Sequence, residues 1–108
     1  MNCKSLALAT LLAALVSQAH AQVPRDAYTE YCESLATLAE TIMSHKQAGY
    51  SNQQIETTWG IHGDEIVRAI SKRVQNTPVV LTIKVKTDKV VEFREEIRDS
   101  CKTAFGIN

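Results

Sequence analysis

The sequence predicts an all-α fold: a small domain of four helices stapled by one disulfide. Three observations carry this expectation. Apolar residues recur at three- and four-residue steps over long stretches, each stretch is bounded by helix caps and stops, and Cys32 and Cys101 both lie on apolar stripes. An α+β arrangement with a short strand near residues 79–86 is the alternative, because that segment alternates and is rich in β-branched residues.

In chain order, the first segment reads as a secretory leader. Lys4 precedes an apolar run from Leu6 to Val16, polar Ser17 and Gln18 follow, and Ala19-His20-Ala21 fits the small-x-small pattern of signal-peptidase sites. The run is shorter than the roughly 20 residues that span a bilayer, so no stable membrane anchor is expected. Cys3 precedes the apolar run, whereas a lipoprotein cysteine would follow it. Cleavage is expected between Ala21 and Gln22, dividing the chain into a signal peptide, 1–21, and a single small helical domain, 22–108. Taking 21 residues from 108 leaves 87, and a domain of that size buries only about 60–65% of its unfolded-chain surface.

A first long helix starts near Asp26. Tyr28, Tyr31, Cys32, Leu35, Leu38, Ala39 and Ile42 form its apolar stripe, and Glu30, Glu33, Thr37 and Glu40 fill the other side. Lys46-Gln47-Ala48 followed by Gly49 is a basic last turn and a left-handed stop. Ser51 with Gln54 makes a capping box for a short second helix over 52–59, and Tyr50 is placed to staple onto Ile55. Gly60 and Gly63 bracket a break. Asp64 then caps a third helix that carries Ile66, Val67, Ile70 and Val74 inward, and Asn76-Thr77-Pro78 ends it. In the last helix Val90, Phe93, Ile97, Cys101 and Ala104 or Phe105 share a face, and Gly106 stops it. A lone strand at 79–86 would lack a partner, so this helix is expected to start early, at Thr82 or Asp88, after a buried linker from Pro78 to Leu81.

Cysteine parity and charge follow from the leader. Loss of Cys3 leaves Cys32 and Cys101, an even pair in an exported domain, and such pairs oxidise. The loop they close would stabilise the fold by about 4 kcal/mol on the chain-entropy model. No Cys-x-x-Cys redox motif is present. The leader removes one Lys, so 11 basic residues face 12 acidic ones. A net charge of −1 exerts no broad pull on nucleic acid or anionic lipid.

The remaining motifs favour structural roles. From Lys46 to Val74 the glycines and capped helices have helix-turn-helix spacing, but Asp64 and Glu65 open the would-be recognition helix, where base edges and phosphates would lie. His45 and His62 lack the Cys or paired carboxylates of a metal site, so no metal and no cofactor is expected. Trp59 and Met43 read as core side chains. Glu92, Glu95 and Glu96 alternate with Arg94 and Arg98 as ion pairs on a solvated face. Ser44, Ser51 and Ser71 stand in no nucleophile frame, so no catalytic residue is assigned and no enzyme is expected.

The mature chain resembles a loose group of small exported two-cysteine helical proteins of phages and proteobacteria with no assigned function. The resemblance rests on Cys32, the run Leu38-Ala39-Glu40-Thr41-Ile42-Met43, the stop Lys46-Gln47-Ala48-Gly49, Pro78, and the ending Glu92-Phe93 with Cys101. Gln75 stands where that group places an aromatic residue, and Val79 to Val85 is more apolar than its linker. The resemblance implies an all-helical fold and carries no activity. The function expected is that of an exported, periplasmic, non-catalytic binding or inhibitory protein. Its partner would be a protein of the periplasm or envelope, not nucleic acid. An acid- or stress-chaperone role is one alternative, and a helix-turn-helix DNA-binding protein is the other, should the leader be misread.

Overall fold

A computed structural model describes residues 25–107; the leader and the Ala21–Gln22 bond lie outside the described residues. Among the described residues four α-helices follow one another: α1 (Arg25–Gln47), α2 (Asn52–Ile55), which runs on into a π-helical turn (Glu56–Gly60), α3 (Glu65–Gln75) and α4 (Ile83–Ala104). No strand forms among the described residues.

Local chemistry sets the boundaries. At the end of α1 the Gly49 amide donates to the Lys46 carbonyl (3.1 Å) and the Tyr50 amide to the His45 carbonyl (3.0 Å). This is a Schellman stop, and it needs the φ of +105° that Gly49 adopts. The same pair of bonds recurs at Gly106, from Gly106 to Thr103 and from Ile107 to Lys102. Ser51 and Gln54 form the complete capping box, and Asp64 accepts from the Val67 amide at 2.9 Å to open α3.

The strand alternative at 79–86 does not form. The Thr82 hydroxyl accepts from the Val85 amide and the Lys86 amide bonds the Thr82 carbonyl, so the backbone satisfies itself locally from Ile83 onward. The linker before it differs from expectation: Leu81 is 97% exposed and Pro78 and Val79 are exposed too. Only its backbone is held. Buried Gln47 donates from Nε2 to the Pro78 carbonyl and accepts at Oε1 from the Val80 amide, both at 3.0 Å.

The two long helices pack antiparallel, with Cys32 facing Cys101 at one end and Gln47 facing Val80 at the other. The contact face of α1 is Cys32, Ala36, Ala39, Ile42 and Met43, all essentially inaccessible. Tyr31, expected in the stripe, is 40% exposed. Ile55 from α2, Ile70 and Val74 from α3, and Phe93 and Ile97 from α4 complete one core, with Leu35, Leu38, Trp59 and Val90 packed on it.

Glu33 and Glu40 do not face open solvent. Glu33 lies 3.6 Å from Lys102, 3.9 Å from Arg98 and 4.0 Å from Arg94, and Glu40 lies 3.4 Å from Arg94. The Arg94–Glu40 contact is an ion pair without hydrogen-bond geometry at Nε. Arg94, Arg98 and Lys102 of α4 thus pair across to α1, Arg98 also meeting its neighbour Asp99 at 3.4 Å, and none of them pairs with Glu92, Glu95 or Glu96; Glu96 pairs with Arg73 of α3 at 2.7 Å. These half-exposed pairs contribute less than about 1 kcal/mol each, whereas each large apolar side chain in the core contributes about 1.5–3 kcal/mol. The core therefore outweighs the ion pairs in stability.

Candidate functional site

Residues at the disulfide end build an apolar groove. Cys32 and Cys101 are bonded, with Cα atoms 5.5 Å apart, so α1 and α4 are tied where the groove lies. Its walls are Tyr31 and Leu35 from α1, Ile66, Ala69 and Ile70 from α3, and Ile97, Ala104 and Phe105 at the end of α4, and its volume is about 320 Å³. Phe105 is fixed by Tyr28, with ring centroids 4.6 Å apart, and by an edge contact from Tyr31 at 5.9 Å.

The groove exists because α3 carries two adjacent apolar stripes. Ile70, Ser71 and Val74 face the core, while Ile66, Ala69, Ile70 and Arg73 form a second row at the i, i+3, i+4 and i+7 positions. One helix cannot bury both rows against the α1–α4 pair. Ile66, expected inside, is therefore 46% exposed on the groove. Tyr31, Arg73 and Ser100 supply the polar groups of the lining. The Arg73 guanidinium is engaged by Glu96 and lies 5.1 Å over the Phe93 ring. The groove thus offers an apolar surface; its lining holds no His, Asp or Glu, and Cys101, its one cysteine, is bonded to Cys32.

His45 and His62 differ in character. His45 is sandwiched between Tyr50, stacked at 4.4 Å, and Trp59, tilted at 4.9 Å, and its Nδ1 is buried with no hydrogen-bond partner. Tyr50, the residue read as a staple for Ile55, lies flat on His45. His62 is exposed in the turn before α3. No group of three or more potential metal ligands forms among the described residues. In the segment with helix-turn-helix spacing, the Asp64 carboxylate is occupied as the α3 cap.

A second feature lies at the opposite end of the molecule. Leu81 and Ile83 are 97% and 84% exposed, and Val79 and Val85 are nearly half exposed beside them. Neither this tip nor the Gln47 clamp that presents it is expected from the helix periodicity. The mixed apolar and basic run Leu81-Thr82-Ile83-Lys84-Val85-Lys86 was the available signal for the tip.

No protein-family model matches the chain, and no curated protein or solved structure is significantly similar to it. Among the described residues no helix is long and apolar enough to cross a membrane.

Proposed function

We propose that the protein is an exported, non-catalytic binding or inhibitory protein that acts in the periplasm or outside the cell. The observation that carries the binding role is the groove beside the disulfide, whose exposed Ile66, Phe105 and Tyr31 would lie against a partner rather than water. Its occupant is a protein segment that presents large apolar side chains, since the lining offers no unpaired charge to select a polar ligand. Export is supported by the Lys4, Leu6–Val16 and Ala19-His20-Ala21 pattern together with the Cys32–Cys101 bond, which reducing compartments disfavour. The resemblance to exported two-cysteine helical proteins of phages and proteobacteria supports the same reading.

Two measurements test it. Intact mass of the protein from an exporting host is expected to give an N-terminus at Gln22 and no free thiol; a chain that keeps Met1 and alkylates fully overturns the export reading. Affinity capture from the envelope fraction is expected to yield a reproducible partner that Ile66→Glu loses. Equal capture by both forms, or none by either, overturns the role of the groove.

A chaperone for acid stress is the second reading, favoured by the Glu33 and Glu40 ion pairs that link α1 to α4. Unchanged client aggregation at low pH removes it.

A further inference from the structure

Three helix ends converge where α4 begins. Gln47 ties the end of α1 to Pro78 and Val80, and Lys46 Nζ bonds the Gln75 carbonyl at the end of α3 (3.1 Å). The last turn of α1 carries Lys46 and the last turn of α3 carries Lys72, beside Arg73, whose charge is taken up by Glu96. The first turns of α4 add Lys84, Lys86 and Lys89. Asp88 and Glu92 are the acids on the same stretch of α4, and Glu56 receives the Gln75 amide nearby. Among the described residues none of Lys84, Lys86 and Lys89 reaches a carboxylate within 4.0 Å. The first turn of α4 holds no acid. A chain of nearly zero net charge thus has a cationic end, and from that end Leu81 and Ile83 project into solvent.

We propose that this end docks on an anionic lipid surface, with Leu81 and Ile83 entering the headgroup–acyl boundary and Lys84, Lys86 and Lys89 pairing with phosphates. The pattern favours lipid over protein. The apolar residues form a protrusion, not a pocket or a flat patch, and lysines alternate with them almost residue by residue. Lysine is depleted from the cores of protein interfaces. At a bilayer its stem lies along the apolar region while the ammonium stays with the phosphates. A nucleic acid would meet the lysines but leave Leu81 and Ile83 in water. The docking is peripheral, since no described helix is long and apolar enough to span a membrane. It involves neither the groove nor its partner, so either assignment can fail alone.

The test is co-sedimentation of the oxidised chain, purified from an exporting host, with vesicles of phosphatidylcholine alone or mixed with phosphatidylglycerol. Binding is expected only to the anionic vesicles and is expected to weaken with salt. A lysine near an anionic surface contributes a factor of roughly five in affinity, so Lys84→Glu with Lys86→Glu is expected to weaken binding at least roughly 25-fold. Leu81→Ser with Ile83→Ser is expected to abolish binding while the melting temperature stays put, because both side chains are already in solvent. Equal binding to neutral vesicles, or binding untouched by the Ser pair, overturns the proposal. So does a dimer in sedimentation that the Ser pair dissolves, or a photo-crosslinker at position 81 that traps only an acidic protein.

Discussion

Replacing Gln47 by leucine isolates the one side chain that holds the linker between α3 and α4. Gln47 is 2% exposed, and its amide makes two 3.0 Å bonds of opposite sense, donating to the Pro78 carbonyl and accepting from the Val80 amide. The opposite amide orientation would place NH₂ against N–H and oxygen against oxygen, so the assignment is unique. Leucine keeps most of the volume and removes both bonds. A net hydrogen bond contributes about 1 kcal/mol, and a buried partner left unpaired costs about 1–3 kcal/mol. Pro78 is exposed, so water can reach its carbonyl, whereas Val80 is half-buried and its amide recovers less. The expected loss is therefore about 2–3 kcal/mol, a large share of the roughly 5–15 kcal/mol that holds a domain of this kind. In urea, with the disulfide intact, the midpoint should fall by about 1–2 M at unchanged slope. The Val80 amide should also lose its hydrogen-exchange protection. A midpoint shift under about 0.3 M with Val80 still protected would refute the clamp. Gln47→Glu should be no better than leucine at neutral pH, because its carboxylate cannot donate to Pro78.

Further perturbations separate the other forces. Reduction of Cys32–Cys101, or a double alanine replacement, should cost up to about 4 kcal/mol and lower the melting temperature, read by circular dichroism with and without reductant. Gly63→Ala places a Cβ 2.6 Å from the Trp59 carbonyl oxygen and 2.6 Å from Val67 Cγ1, and backbone cannot yield as a side chain does. It should destabilise by about 1–3 kcal/mol in urea titration, whereas a surface alanine substitution would be near neutral. Glu33→Gln breaks contacts with Arg94, Arg98 and Lys102, but Glu33 is 41% exposed. The loss should stay below about 1 kcal/mol and vanish in high salt, which a pair of melts at two ionic strengths will show.

How far each element could be read before folding depended on the range of its causes. Caps and stops were legible because their chemistry is local: Ser51 with Gln54, Asp64 with Val67, and Gly49 after Lys46 each close within a few residues. The Cys32–Cys101 pair was legible from parity and stripe. The stack of Tyr50 on His45 was not legible, because it joins side chains on two different helix ends. Ile66 was misread because period alone does not say how wide a face its neighbours can cover. The groove, which depends on that surplus width, was illegible for the same reason.

The residues alone therefore determined that this chain makes capped helices with apolar faces and a matched pair of cysteines, since periodicity and capping act over a single turn. Only the packed molecule decided that Glu33 and Glu40 reach across to Arg94, Arg98 and Lys102, and that Gln47 grips a linker more than thirty residues away. It alone decided that Leu81 and Ile83 stand in water. Those outcomes depend on which surfaces remain after α1 and α4 have closed on one another, a competition among distant segments that no local pattern encodes.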